Sequence, residues 1–134
     1  MTYLLDTNII TAILKGNNKV SQKIKEILLN REDISINAIS YYEIKRGLLS
    51  VGALTKLITK FEELYKAFGI TLLDSVLIFD KAAEIYATLR PQGKPIEDAD
   101  ILIASLAQEK DFILVSNDTH FNRIPDLKIE NWLN

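Results

Sequence analysis

The stretch Asp98-Ala-Asp-Ile-Leu-Ile-Ala-Ser-Leu-Ala-Gln-Glu109, followed by Phe112-Ile-Leu-Val115 and then Ser116-Asn-Asp118, decides the fold class. At 100° per residue, Asp100 falls in line with Ile103, Ala104 and Ala107, so residues 98 to 109 read as a helix laying a small, apolar side against a sheet. Phe112 to Val115 is apolar at every position, which a strand requires when helices cover both of its faces. Working outward, Tyr3-Leu4-Leu5 ends at Asp6-Thr7-Asn8 and Ile34-Ser35-Ile36 ends at Asn37. Further strand patterns fall at Ile70 to Leu73 and Lys128 to Glu130, and helical patterns at about residues 19–30, 40–49, 54–68 and 75–89. This alternation predicts an α/β fold, a three-layer α/β/α sandwich with a mainly parallel central sheet. The three prolines sit in loops and no repeat or linker interrupts the pattern, so the 134 residues read as a single domain spanning 1–134.

Composition narrows the chemistry. The absence of cysteine removes disulfide frameworks, thiolate zinc sites and thiol nucleophiles, and a single histidine, His120, excludes a two-histidine metal site within one chain. Any metal must be held mainly by oxygen. The N-terminus has no basic segment leading into a long apolar run, and no apolar run approaches the roughly 18 residues of a membrane span. The sequence reads as cytoplasmic, with no membrane partner. The net charge is −2, but residues 1–73 carry ten Lys/Arg against seven Asp/Glu, whereas residues 74–134 carry six against eleven. An acid-rich half is either a solvated face or a pocket of carboxylates suited to a cation.

The positions of the acids bear on that choice. In a parallel sheet the loops after the strands gather along one edge, and crossover helices begin at the same edge. Asp6 and Asp118 follow strands, Glu43 is in the first turn of the helix after the Ile34 strand, and Asp100 is in the first turn of the helix before the Phe112 strand. Four carboxylates are therefore aimed at one place. Each also has a plainer reading. Asp6 or Asn8 suits a turn or helix cap, Ser40-Tyr-Tyr-Glu43 matches a capping box, Asp98 suits an N-cap, and Asp118 suits a turn. His120 reads as a loop or capping histidine rather than a ligand. Asp100 is the sharpest signal, because a carboxylate aimed at a packed layer is costly unless paired, hydrogen-bonded or metal-bound. Together, four acids in one crevice repel one another unless a cation or protons compensate, and Mg²⁺ or Mn²⁺ suits an all-oxygen donor set.

Leu4-Leu-Asp6-Thr-Asn8, Ser40-Tyr-Tyr-Glu43-Ile-Lys-Arg-Gly47, Asp100-Ile-Leu-Ile-Ala-Ser105, Leu114-Val-Ser116-Asn-Asp118-Thr-His-Phe121 and Glu130-Asn-Trp132 resemble, in this order, the PIN-domain family. They are most similar to its VapC branch, the ribonuclease toxins of toxin–antitoxin operons. The resemblance implies a metal-dependent endoribonuclease whose acidic quartet is Asp6, Glu43, Asp100 and Asp118. These residues would hold Mg²⁺ or Mn²⁺ and activate water against an RNA phosphodiester. It further implies supporting roles for Asn8 and Ser116, with Asp98 assisting through water. An RNA substrate, a cognate antitoxin of the VapB kind and a homodimer are the implied partners. Lys15, Lys45, Arg46 and Lys94 are candidate phosphate contacts, and Tyr41, Tyr42 and the helix from Leu54 to Phe68 offer apolar surface for either assembly or core. The alternatives are a Mg²⁺-dependent phosphatase or receiver-type phosphoryl-transfer domain, and a non-catalytic binding module. The phosphatase would want an acid where Asn8 stands, and the receiver a lysine where Ser116-Asn-Asp118 stands.

Overall fold

The first strand, β1 (Thr2–Leu5), is buried on both faces and has a parallel neighbour along each edge. In the computed structural model, which describes residues 1–93 and 95–134, β2 (Asp33–Asn37) pairs with it from Thr2 opposite Asp33 to Leu5 opposite Ile36. Beyond β2 lies the short β3 (Ile70–Thr71). On the other edge β1 pairs with β4 (Ile113–Val115), and β4 with β5 (Ile129–Glu130). The order is β3-β2-β1-β4-β5, with every pair parallel. The chain reverses its direction of travel across the sheet between β1 and β4, and the crevice beyond strand ends at such a switch point is where ligands bind in open α/β sheets.

Among the described residues six α-helices cover the sheet: α1 (Thr7–Leu14), α2 (Asn18–Leu29), α3 (Ala38–Ser50), α4 (Thr55–Phe68), α5 (Val76–Leu89) and α6 (Asp98–Glu109). Strand alternation divides the core in two. Leu4 and Leu114 face α5 and α6, packing with Ile78, Ile85, Leu89, Ile103 and Leu106. Tyr3, Leu5, Ile34, Ile36 and Val115 face the other way, toward Ile9 and Ile10 of α1, Val20 and Ile27 of α2 and Phe61 of α4. These two cores make the three layers expected from the sequence. No helix among the described residues is long and apolar enough to cross a membrane.

Local departures from the sequence pattern have physical causes. Thr7–Leu14 is a short helix that buries Ile9, Ile10 and Ala12 and turns Thr7, Asn8 and Thr11 outward. Helix α3 starts at Ala38, with Asn37 as its cap: Asn37 Oδ1 accepts the Ser40 amide at 2.8 Å. Ser40 is therefore inside the helix, and the Ser40–Glu43 capping box does not form. Glu97, not Asp98, stands at the N-cap of α6 and makes no side-chain capping bond. Strand β4 begins one residue late, since the Phe112 amide closes α6 on the Ala107 carbonyl at 2.8 Å. Ser105 of α6 is buried, its Oγ donating to the Leu102 carbonyl at 2.9 Å. Tyr41 stacks on Phe61 and meets Tyr65 edge-on, so it belongs to the core, whereas Tyr42 is exposed beneath the Arg46 guanidinium.

Gly69 joins α4 to β3 at φ 81° and ψ 164°, a conformation essentially confined to glycine. Its amide closes the helix on the Tyr65 carbonyl and its carbonyl accepts the Ile36 amide, so the backbone cannot relax without losing sheet pairing. Gly69→Ala should lower stability in urea unfolding by about 1–3 kcal/mol, although no atom blocks the added methyl. An unchanged midpoint would show that this junction tolerates an ordinary residue.

Candidate active site

Asp6 is the residue after β1, and its position is set by both the strand and the helix that follows. Its amide continues the β1–β4 pairing by donating to the Val115 carbonyl at 3.0 Å, and its side chain caps α1 through the Thr7 amide at 2.8 Å. The residue is 5% exposed. Its other carboxylate oxygen accepts from Ser116 Oγ at 2.7 Å and Asn8 Nδ2 at 3.2 Å, while Ser40 Oγ makes a longer contact of 3.5 Å to the oxygen that caps α1. Asn8 also donates to Ser116 Oγ and accepts the Asn117 amide, both at 3.2 Å, which ties α1 to the loop after β4. Asn8 and Ser116 thus hold the first acid in place. The Asp6 N-cap, one of the plain readings of the sequence, coexists with the placement of its carboxylate at the cleft.

A second set of bonds positions Glu43. Asn37, fully buried at the end of β2, donates from Nδ2 to the Leu5 carbonyl and to Ser40 Oγ, each at 2.8 Å. Thr7 Oγ1 lies 2.8 Å from Ser40 Oγ and 3.2 Å from Glu43 Oε1, sharing its proton between them. Freed of any capping role, Glu43 turns toward the end of β1. Asp118 follows β4 and caps the 3₁₀ turn Thr119–Arg123, its Oδ1 accepting the His120 amide at 2.9 Å. The Asp118 amide in turn donates to Ser116 Oγ at 3.0 Å. Asp100 projects from the first turn of α6, on the side continued by the buried Ile103, Ala104 and Ala107.

The four carboxylates meet. Asp6, Glu43, Asp100 and Asp118 line one open cleft of about 470 Å³, with Thr7, Asn8, Thr11, Asn117 and Leu133 completing its wall. Asp98 does not join them: it is exposed and lines a separate cavity with Phe79, Ala82 and Tyr86. The sequence reading did not identify Thr7, Asn37 and Ser40 as positioning groups. A usable signal lay in Ser40, one helical turn before Glu43, and in Thr7, inside the Asp-Thr-Asn triplet. His120 also stands at the cleft, with its Nδ1 3.2 Å from Asp118 Oδ1. Lys94 lies outside the described residues.

Burial pushes the Asp6 carboxyl above the ordinary carboxylate range, against the hydrogen bonds from Ser116, Thr7 and Ser40 and with added repulsion from Asp118. Asp100 is pushed up to about 6, first by burial and then by the charges of Asp6, Asp118, Glu97 and Glu43. Every one of these influences on Asp100 acts in the same direction, so the cleft has the electrostatics of a cation site. An all-carboxylate donor set also suits a hard divalent ion. Because the folded-state value of Asp100 exceeds the ordinary 3.8, the stability it contributes is complete below that value and lost as pH rises through about 6. In EDTA, Asp100→Asn should therefore melt above wild type at about pH 7 and lose that advantage near pH 4. A variant melting below wild type at both pH values would show that Asp100 is not under this strain.

With the site in view, comparison with known proteins is informative. Residues 3–127 match the PIN domain family model. Ribonuclease VapC1 of Haemophilus influenzae strain R2866 is 30% identical over 140 residues, covering 98% of both chains. The tRNA(fMet)-specific endonuclease VapC of Shigella flexneri is 28% identical, also over 98% of both. Among solved structures, a chain of VapBC2 from Rickettsia felis, bound to a DNA fragment from their promoter, superposes with a TM-score of 0.90 at 28% identity, covering 98% of this chain and 99% of that one. VapBC-1 from nontypeable Haemophilus influenzae gives 0.87 at 27% identity over the full length of both chains. The sheet order, the acid-lined switch point and these likenesses agree: the chain belongs to the PIN-domain family.

Proposed function

We propose that this chain is a metal-dependent endoribonuclease, the toxin of a toxin–antitoxin pair, that hydrolyses RNA phosphodiester bonds in the cytoplasm. The observation that carries the reading is the convergence of Asp6, Glu43, Asp100 and Asp118, distant in sequence, on one cleft. The ribonuclease names of its VapC relatives support the reaction, and the VapBC complexes among its structural neighbours support an antitoxin of the VapB kind as partner.

Asp6, Glu43, Asp100 and Asp118 are the residues that would hold the cation, Mg²⁺ or Mn²⁺. When bound, such an ion offsets phosphate charge and acidifies a water. Asn8, Ser116 and Thr7 spend their hydrogen bonds fixing Asp6 and Glu43, so the acids are oriented before substrate arrives. The cleft is open, which lets a polymer backbone approach. No RNA phosphate would settle among four uncompensated carboxylates, so catalysis and cation binding are expected to be inseparable. Lys15 lines a groove that shares Thr11 and Glu43 with the cleft, and Arg46 sits 5.1 Å above the exposed Tyr42 ring, both placed to contact phosphates or bases. Lys45, also on α3, lies near Tyr65 of α4 instead. Asn8 is where an aspartyl-phosphate enzyme would need its second acid, and its amide is already committed to Asp6 and Ser116.

The homodimer has a face of suitable character on α5, where Val76, Phe79 and Tyr86 are exposed beside Ala83 and Leu102. Light scattering at micromolar concentration should give twice the 15.2 kDa chain mass, and Phe79→Glu should shift it toward the monomer. A monomeric wild type would overturn the dimer.

Purified protein freed of partners should cut structured RNA in Mg²⁺ or Mn²⁺, stop in EDTA and leave DNA largely intact. Asp6→Asn, Asp100→Asn and Glu43→Gln should each lower cutting by roughly a hundredfold or more with circular dichroism unchanged. Ser116→Ala, which removes a positioning bond and no ligand, should cost roughly 10–100-fold. Full cutting by the Asp6 and Asp100 variants would overturn the ribonuclease reading.

A further inference from the structure

We propose that His120 supplies a nitrogen ligand to the cation of the carboxylate cleft and thereby tilts the site from Mg²⁺ toward Mn²⁺. The proposal rests on the cation-binding reading of the cleft and goes beyond its carboxylate quartet.

The geometry is specific. His120 Nδ1 lies 3.2 Å from Asp118 Oδ1, and one ligand atom from each of Asp100, Asp118 and His120 lies within 4.8 Å of the other two. An octahedral ion with ligands at about 2.1 Å keeps adjacent ligands about 3.0 Å apart and opposite ones about 4.2 Å apart. His120 Nδ1 and Asp118 Oδ1 thus stand close to the separation of adjacent ligands on one ion, and a ligand atom of Asp100 lies no farther than 4.8 Å from either residue's.

The main chain holds the ring there. Asp118 caps the 3₁₀ turn by accepting the His120 amide, which folds residue 120 back over the carboxylate two positions earlier. The next residue, Phe121, is fully buried in the core and anchors the turn from the other side. The imidazole is 54% exposed, so a nitrogen can meet an ion entering from solvent without displacing packed groups. Mg²⁺ favours oxygen and keeps its waters, whereas an imidazole nitrogen favours the first-row transition ions. One nitrogen added to four carboxylates therefore gains more for Mn²⁺ than for Mg²⁺.

Because His120 is the only histidine, an imidazole signal from tag-free protein has a single origin. Electron spin-echo envelope modulation of the Mn²⁺-loaded protein should show an imidazole ¹⁴N coupling that changes on ¹⁵N-histidine labelling and disappears in His120→Ala. Calorimetry should show the ratio of Mg²⁺ to Mn²⁺ dissociation constants falling about tenfold in His120→Ala and in His120→Gln, with melting curves confirming that both variants fold. Bound Mn²⁺ without the nitrogen coupling, or an unchanged ratio, would overturn the proposal and leave the quartet standing. Wild-type protein that binds neither ion would overturn the cleft reading and this proposal together. Asp100→Asn separates the roles, since it should weaken both ions while the His120 variants lose mainly the preference.

Discussion

Burying the Asp6 carboxylate among neutral donors is the constraint on which the rest of the site depends. The residue must stay at the end of β1, because its amide belongs to the β1–β4 ladder and its side chain caps α1. Its charge is consequently fixed near the sheet edge, stripped of most of its water. Ser116, Asn8 and the Thr7 amide return part of what solvent would have given. A buried acceptor left unpaired would cost about 1–3 kcal/mol, and more for a charged one, so these donors have to come from whichever elements meet there. They come from the ends of β1 and β4, while Asn37 at the end of β2 binds the Leu5 carbonyl and holds the third strand end in register. The hydrogen-bond network that satisfies one acid is also the network that aligns three strands at the cleft.

The remaining acids add a second tension. Asp100, drawn up to about 6, is close to the point where a modest change in surroundings decides whether it carries a proton. A cation entering the cleft would displace that proton and relieve the repulsion at once, which couples ion binding to the stability of the fold. Natural sites often retain groups that lower stability because the same groups supply function. Here the charged groups are gathered at the cleft, and neither apolar core contains one of them.

How much of this was legible in the sequence follows from which signals are periodic. The layers could be read because Phe112 to Val115 is apolar throughout and because α6 carries a clear helical stripe, and both patterns arise from burial by elements that are always present. Asp100 stood out for the same reason, as a charge in line with that stripe. Helix α1 was legible only as a possible cap at Asp6 or Asn8, because its eight residues span barely two turns and are too few for a period to emerge. The start of α3 escaped because two residues, Asn37 and Ser40, can each cap a helix, and only tertiary contact chooses between them: Asn37 also reaches the Leu5 carbonyl, a partner invisible in sequence. That choice carried consequences for function. With the cap supplied by Asn37, Glu43 no longer reaches back to the helix start and is available to Thr7 and the cleft.

The same logic explains why an acidic protein can act on an acidic polymer. The excess negative charge of the second half is not spread evenly: Asp100 and Asp118 sit in the cleft, whereas Asp74 and Asp111 pair with Lys110 and Lys128 elsewhere on the surface. Exposed pairs of that kind are screened and contribute little to the field beyond their own contact. What an approaching phosphate meets is then set by the cleft and by Lys15 in the groove beside it, rather than by the net charge of −2. A divalent ion held there would offset two of the four carboxylate charges while leaving the surrounding charges as they were. Ion binding would thus weaken the repulsion that an RNA backbone meets at this edge, at acids that the hydrogen-bonded strand ends already hold in place.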